Sequence, residues 1–368
     1  MNILSSAEKL FFQVLRYAVG ASGEMPSGIL PEEWELIYEI ACRQSLLGVV
    51  FYSIQKNGAE KPDKKLLLQW FSISEKIRQN NQRANGAAVK LARFFQENGF
   101  RTCILKGQGN VFVYPDPYIR TSGDIDIWVE GGSKSVLAFA RKYVSGAKSC
   151  YHHIEFRAVD GVETEVHYRP SFMNNLVHNR RMQRWFECVA DEQFSHELEL
   201  PDGGGKVCVP TNGFNRIYQM SHISNHFFHE GIGLRQILDY YFVLRQGFTE
   251  EERLHDGRLL KSFGLYKMTA AVMYVLKEIL NLGPELMIVP ADKKLGKLLL
   301  TEMLQSGNFG QYDKRAKHDG SQLAHNIERF KRDFRLVWYF PSECLWEPVF
   351  RIYHFFWRLH HRHSTVVG

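Results

Sequence analysis

Two aspartates separated by one residue are the strongest chemical signal in the sequence. Asp124 and Asp126 lie in the segment Asp-Ile-Asp-Ile-Trp-Val, which alternates polar and apolar side chains as a half-buried strand does. That period places both carboxylates on one face, where they repel each other unless a cation lies between them. Hard oxygen ligands favour Mg²⁺ or Mn²⁺, which also bind phosphate oxygens. The alternative is that the two aspartates form salt bridges with Arg120 or Arg101.

A glycine turn precedes this pair. The segment Thr102 to Leu105 predicts a short buried strand that ends at Lys106 and Gly107, after which a helix is expected. Free N–H groups at a helix start, a glycine that allows close approach and a lysine ammonium together make an anion site. As an isolated motif the turn is unspecific, because a glycine after a strand is more often only a turn.

A third acidic group is expected from a neighbouring strand. The segment Val-Glu-Thr-Glu-Val-His places Glu163, Glu165 and His167 on one face of a strand that follows the turn signal Asp160-Gly161. We choose Glu165 as the third acid. The alternative interpretation of this strand is the solvated face of a hairpin.

The chain divides into three predicted regions that would position these groups. Residues 1–92 show helical periodicity and little strand signal, so they predict an N-terminal helical lobe. Residues 93–210 alternate strand and helix signals and end in hairpins, which predicts an α+β catalytic domain. Residues 211–368 return to helical periodicity and predict a C-terminal helical domain.

Composition and charge restrict the class of protein. The 368 residues are 45% hydrophobic and 23% charged, which is typical of a soluble globular protein. A net charge of +6 suits a polyanionic ligand but does not require nucleic acid. The six cysteines are scattered, and we expect reduced thiols in a cytoplasmic protein without a signal peptide or membrane span.

Taken together, these residues resemble the nucleotidyltransferase superfamily of the DNA polymerase β type, in particular its bacterial branch of uncharacterised nucleotidyltransferases. In this chain Glu165 stands where an aspartate is commoner, and Gln108 stands where a serine is usual. The segments that carry the resemblance are Leu105-Lys106-Gly107, Tyr114 to Pro117 with Arg120, Asp124-Ile125-Asp126, Glu165 to Tyr168, and Gly233-Leu234-Arg235 with Asp239.

The resemblance implies an α+β fold, in which a mixed sheet with helices is flanked by N-terminal and C-terminal helical regions. It also implies a two-ion mechanism that transfers a nucleoside monophosphate from a triphosphate, expected to be ATP, to a hydroxyl acceptor, with release of pyrophosphate. Asp124 and Asp126 would bind Mg²⁺ or Mn²⁺, and Glu165 would bind the metal or act as the base. The nucleotide-binding residues would be Lys106, Gly107, Gln108 and Arg120, of which Arg120 is equally well interpreted as a structural partner of an aspartate.

The acceptor side is expected in the C-terminal region. His222, His226 and His229 recur at helical spacing, which suits an acceptor pocket, and zinc binding is the alternative. Arg235 and Asp239 are four residues apart and are most simply an intrahelical ion pair. The expected acceptor pocket comprises His167, His222, His226, Arg235 and Asp239.

Two other functions compete with this interpretation. One is a metal-dependent glycosyltransferase, which also places an Asp-x-Asp pair on a diphosphate, but such folds need strands before the pair, where this chain predicts helices. The other is a catalytically inactive nucleotide-binding or regulatory protein of the same fold, for instance an antitoxin. The sequence does not identify the acceptor, which could be a small molecule, a sugar, a protein or an RNA end.

Overall fold

The computed structural model describes residues 4–144, 146–313 and 322–362. The beginning of the described chain is helical, as the periodicity predicted. Pro31 opens the second helix, and the side chain of Asp63 caps the fourth by accepting hydrogen bonds from the backbone N–H groups of Lys65 and Leu66. The helices are α1 (Ser6–Ala18), α2 (Pro31–Arg43), α3 (Leu47–Asn57) and α4 (Lys64–Glu97).

A four-stranded mixed sheet follows α4 and confirms the α+β class. The strand order is β1-β2-β4-β3; β2 and β4 run parallel, and the other two pairs are antiparallel. The short helix expected after β1 is a 3-10 helix, Gly107–Val113. The strands are β1 (Thr102–Ile104), β2 (Ile125–Val129), β3 (His153–Val159) and β4 (Val162–His167).

Helix α4 connects the N-terminal helices to this sheet. It is 34 residues long and continues past residue 92, the predicted boundary between the first two regions. Its apolar face packs against the sheet, and helix α5 (Gly132–Ala140) adds Val136 and Leu137 to the same core. Every residue of β2 is buried, so this strand is the rigid centre that carries Asp126.

Between the sheet and the C-terminal helices lie a helix and a small hairpin. Helix α6 (Leu176–Gln193) was not predicted, because its apolar positions are diluted by arginines and glutamates. The hairpin formed by β5 (Glu197–Glu199) and β6 (Lys206–Cys208) was predicted from the glycine-rich turn between them.

The C-terminal region is helical, as predicted. Its buried side chains form one apolar core with those of α1 to α3, so the two helical regions are packed together beside the sheet. No helix within the described ranges is both long and apolar enough to cross a bilayer. All six cysteines are free thiols. The helices are α7 (Asn212–His229), α8 (Leu234–Leu244), α9 (Glu250–Ser262), α10 (Tyr266–Leu280), α11 (Lys293–Ser306), α12 (Gln322–Leu336) and α13 (Pro341–Arg362).

Candidate active site

Three carboxylates converge where the parallel strands β2 and β4 lie side by side. The register pairs Asp126 with Glu165, and Asp124 lies one residue before β2. One carboxylate oxygen from each of these acids lies within 4.8 Å of the others. The structure therefore brings together the three acids that the sequence analysis selected.

Asp126 is the most deeply buried of the three, with 1% of its side chain exposed. Its Oδ1 accepts a hydrogen bond from Nε2 of His167 at 2.8 Å and lies 3.2 Å from Nζ of Lys106. Burial alone would raise the pKa of Asp126, but the positive charges of Lys106 and His167 outweigh it and lower that pKa. Asp126 is therefore charged at neutral pH.

His167 is a partner of the acids as well as a candidate acceptor residue. Burial alone would lower its pKa, but hydrogen bonds to Asp126 and Glu165 raise it to about 9. Nε2 of His167 lies 3.3 Å from Oε2 of Glu165, while its Nδ1 is buried and has no hydrogen-bond partner among the described residues. The imidazole is thus protonated at neutral pH and balances part of the negative charge of the two carboxylates.

The raised pKa of His167 predicts that the metal-free protein loses stability in alkali. A group with a raised folded pKa stabilises the native state fully below its ordinary pKa of 6.5, and this contribution disappears as the pH rises through about 9. In chelator, we expect the free energy of unfolding to fall between those two values. Urea titrations of the parent and of His167→Asn, which keeps a neutral donor, measure the effect. An equally steep fall in the variant would contradict this assignment.

A row of imidazoles extends from the acids into the neighbouring strand β3. Nδ1 of His153 lies 3.2 Å from Oε2 of Glu165 and 3.1 Å from Nε2 of His152. Burial lowers the pKa of His153 to about 4, so the ring is neutral at neutral pH. Sequence analysis did not select His153, although its place at the start of β3 puts it directly opposite His167 in the sheet.

The glycine turn lies beside the carboxylates, as the sequence predicted. Gly107 has φ +66°, which favours glycine, and a Cβ at Gly109 would lie 2.3 Å from the carbonyl oxygen of Ile104. Burial alone would lower the pKa of Lys106, but the carboxylates of Asp126, Asp124 and Glu165 raise it. Lys106 is therefore a cation held at the centre of the acidic cluster.

Two residues expected to bind phosphates have other partners. The side chain of Gln108 is buried against α4 and donates a hydrogen bond to Oδ1 of Asn85 at 2.6 Å. Arg120 forms a two-point salt bridge with Asp239, at 2.7 Å from Nε and 2.9 Å from Nη2, and Tyr114 donates to the same carboxylate. The structural interpretation of Arg120 therefore applies, but its partner is Asp239 and not the aspartate pair.

The predicted ion pair between Arg235 and Asp239 is wrong. Asp239 uses both oxygens for Arg120, and no carboxylate of the described residues lies within salt-bridge distance of Arg235. Nη1 of Arg235 donates to the carbonyl oxygen of Thr121 at 3.2 Å, while its Nε is buried and finds no hydrogen-bond partner in the part of the chain that the structure describes. The salt bridge suggested between Arg101 and the pair Asp124 and Asp126 is also wrong, because Arg101 pairs with Glu130 and Asp191.

Two cavities meet at the acidic cluster, and the residues expected in the acceptor pocket are distributed between their walls. A small cavity of about 40 Å³ contains Gly107, Arg120, Arg235 and Asp239 in its wall. A larger cavity of about 460 Å³ adjoins it. Both cavities border on Lys106, Asp124, His222 and Phe309. The larger cavity is further lined by His153, His167, Glu165, His226 and His229.

The histidines of α7 do not form a metal site with one another. Nδ1 of His226 lies 2.9 Å from Oε2 of Glu230, and the rings of His222 and His226 are in edge contact. Among the described residues, the groups with metal-ligand spacing exclude all three α7 histidines. Their common property is that they line the larger cavity.

The acidic cluster fits a hard divalent cation. Asp124, Asp126 and Glu165 supply only oxygen donors, and the nearby positive charges are those of Lys106 and His167. Carboxylate oxygens are the donors that Mg²⁺ and Mn²⁺ prefer. Among the described residues, these carboxylates outnumber the two cations that contact them, Lys106 and His167, so negative charge remains to attract a divalent cation.

Comparisons with known proteins provide independent findings. A family model described as "Uncharacterised nucleotidyltransferase" matches residues 31–281. No curated protein matches the chain in sequence. Among solved structures, the chain is similar to an antigenic nucleotidyltransferase-like protein from Paracoccidioides brasiliensis, with 14% identity and a TM-score of 0.34, over 59% of this chain and 96% of that chain.

Proposed function

The chain belongs to the family of uncharacterised nucleotidyltransferases, and on that premise we propose that it transfers a nucleoside monophosphate from a nucleoside triphosphate, expected to be ATP, to a hydroxyl acceptor. The convergence of Asp124, Asp126 and Glu165 within 4.8 Å is the observation that carries the proposal. Family membership and the helices that precede the aspartate pair both favour this reaction over glycosyl transfer.

The acids would hold a divalent cation, Mg²⁺ or Mn²⁺. When bound, such a cation offsets charge on the triphosphate and on the attacking oxygen. In the proposed step the acceptor oxygen forms a bond to the α-phosphorus, the bond from that phosphorus to the bridging oxygen breaks, and pyrophosphate leaves. The hydroxyl proton passes to Glu165, whose side chain is 28% exposed at the larger cavity.

Two cations that line the small cavity, Lys106 and Arg235, suit the binding of the triphosphate. Lys106 is charged and borders on both cavities. Arg235 has no carboxylate partner among the described residues, and burial followed by repulsion from Arg120 lowers its pKa, so an anion nearby would be favourable. We therefore assign phosphate binding to Lys106, the Gly107 turn and Arg235. Arg120 contributes by orienting Asp239, with which it forms a salt bridge, and the glycine turn, which it adjoins. A Cβ atom at position 107 would lie only 3.9 Å from Nη1 of Arg120.

The larger cavity is the proposed acceptor side. Its volume of about 460 Å³ is in the range of small-molecule sites, and it opens onto Glu165 and His167. His222 and His226 from α7 form part of its wall, as the sequence analysis expected of an acceptor pocket. A small molecule or the terminal group of a polymer would fit this space.

The test of the proposal combines binding with product release. Calorimetry with ATP and Mg²⁺ measures whether the nucleotide binds, and pyrophosphate release is followed with each triphosphate against pools of small hydroxyl compounds, sugars, proteins and RNA. Release that requires both Mg²⁺ and an acceptor supports the proposal. Binding without release from any pool supports the inactive, regulatory alternative. Release of a nucleoside diphosphate from a sugar nucleotide would support glycosyl transfer instead.

Glu165→Gln is expected to slow pyrophosphate release by about 10²-fold or more, because the amide cannot accept the proton. Glu163→Gln is the matched control: it changes the same residue type two positions away on β4, where the side chain is exposed. The control should keep the parental rate. Equal rates for Glu165→Gln and the parent would remove Glu165 from the mechanism.

A further inference from the structure

A cysteine and two histidines form a second group of possible metal ligands outside the acidic cluster. Cys150, His152 and His153 lie on one tight turn that leads into β3, of which His153 is the first residue, and a hydrogen bond of 2.9 Å from the N–H of Cys150 to the carbonyl oxygen of His153 closes the turn. One donor atom from each residue lies within 4.8 Å of the other two. A single turn therefore presents three metal-binding side chains without long-range folding.

The distance between the donor atoms of Cys150 and His152 is close to that in a tetrahedral zinc site. Sγ of Cys150 lies 3.3 Å from Nδ1 of His152. Bond lengths of about 2.3 Å for zinc to sulfur and about 2.0 Å for zinc to nitrogen place neighbouring donors roughly 3.3 to 3.6 Å apart. Nδ1 of His153 lies 3.1 Å from Nε2 of His152, the ring nitrogen that faces away from Cys150, so the imidazole of His152 or His153 must turn for all three donors to reach one ion. One donor atom of each residue already lies within 4.8 Å of the other two.

The donor types distinguish this group from the acids. A thiolate and two imidazoles are borderline to soft ligands that favour Zn²⁺, whereas Asp124 and Asp126 offer the oxygen donors of a Mg²⁺ site. We propose that Cys150, His152 and His153 bind a Zn²⁺ ion. This inference does not depend on the proposed function, because neither Asp124 nor Asp126 belongs to the group.

The position of the proposed zinc site relates it to the larger cavity. All three ligands line that cavity, and His153 is also 3.2 Å from Glu165. With three protein ligands, the fourth position is available to water or to a donor atom of a molecule in the cavity. The zinc would fix the turn and the orientation of His153 at one wall of the cavity.

The proposal is tested by metal analysis of the full chain. After removal of metals with chelator and addition of Co²⁺ in the presence of excess Mg²⁺, which competes for the acidic cluster, the parent should develop the absorption band of a cobalt–thiolate bond, and the band should saturate at one equivalent for the thiolate site. Zn²⁺ should abolish that band by displacement, whereas excess Mg²⁺ should not. Parent protein that shows no cobalt–thiolate band and retains no zinc after dialysis would overturn the proposal.

Four variants make the assignment specific. Cys150→Ser and His153→Gln should each lose the band, with circular dichroism confirming that the fold is intact. Cys188→Ser changes an exposed cysteine and should keep it. Asp126→Asn should keep the band although it removes a ligand of the acidic cluster, so a failure of the proposed transfer reaction would leave this result unaffected. A band that persists in Cys150→Ser would assign the cobalt to another thiol and contradict the proposal.

Discussion

Replacing Asp126 by asparagine is expected to reduce the rate of nucleotidyl transfer by about 10³- to 10⁴-fold. A bound divalent cation contributes several kcal/mol to stabilising the transferring phosphoryl group, and each ~1.4 kcal/mol corresponds to a tenfold change in rate. Asp126 is buried at the centre of the acidic cluster. It contacts both Lys106 and His167, and it lies opposite Glu165 on the neighbouring strand. An amide keeps the shape of the side chain but removes the negative charge.

Single-turnover pyrophosphate release, with Mg²⁺ varied, measures this effect. If the loss comes from cation binding, a higher Mg²⁺ concentration should restore part of the activity of Asp126→Asn. Thermal unfolding of the variant must be recorded as well, because Lys106 and His167 lose their shared partner. Glu163→Gln, which removes a charge from an exposed position of the same sheet, serves as the control. A folded Asp126→Asn protein with the parental rate would exclude the metal-dependent mechanism.

Asp239→Asn is expected to cost about 3 to 5 kcal/mol of folding free energy, because it leaves the buried guanidinium of Arg120 without its counter-charge. The two side chains are 6% and 8% exposed, and Tyr114 donates a further hydrogen bond to the carboxylate. This network connects the segment before β2 to α8. Its loss should therefore destabilise the junction between the sheet and the C-terminal helices.

Urea unfolding of the parent and of three variants tests the network. Asp191→Asn breaks an exposed pair with Arg101, in which the aspartate side chain is 87% exposed, and should cost about 1 kcal/mol or less. The double variant Arg120→Met with Asp239→Leu should recover part of the loss, because apolar side chains of similar size need no counter-charge. If Asp239→Asn and Asp191→Asn had the same small effect, the buried pair would not contribute to stability.

The acidic cluster was predictable because its parts are local. Strand alternation in the Asp-Ile-Asp segment and in the Val-Glu-Thr-Glu segment determines which side chains share a face. The parallel register of β2 and β4 then places Asp126 next to Glu165. The helical regions before and after the sheet were predictable for the same reason, since apolar periodicity is a property of consecutive residues. Helix α6 lacks a clear periodicity of apolar residues, and the sequence analysis therefore did not predict it.

Partners that lie far apart in the chain were not predictable. Arg120 and Asp239 are separated by 119 positions, and their salt bridge depends on how α8 packs against the segment before β2. Spacing alone favoured the pair Arg235 and Asp239, because residues four apart on a helix face the same side. The packed structure gives Asp239 a better partner, in which two nitrogens meet two oxygens.

By itself, the sequence determined which acids could bind a cation, where the glycine turn lies and which segments are helices. The tertiary structure decided the rest: that Gln108 faces Asn85, that His167 donates to Asp126 and that Arg235 has no carboxylate partner within the described ranges. The physical reason is that propensity and periodicity act between neighbours in the chain. Burial and charge compensation act between neighbours in space, which only the packed sheet and helices bring together.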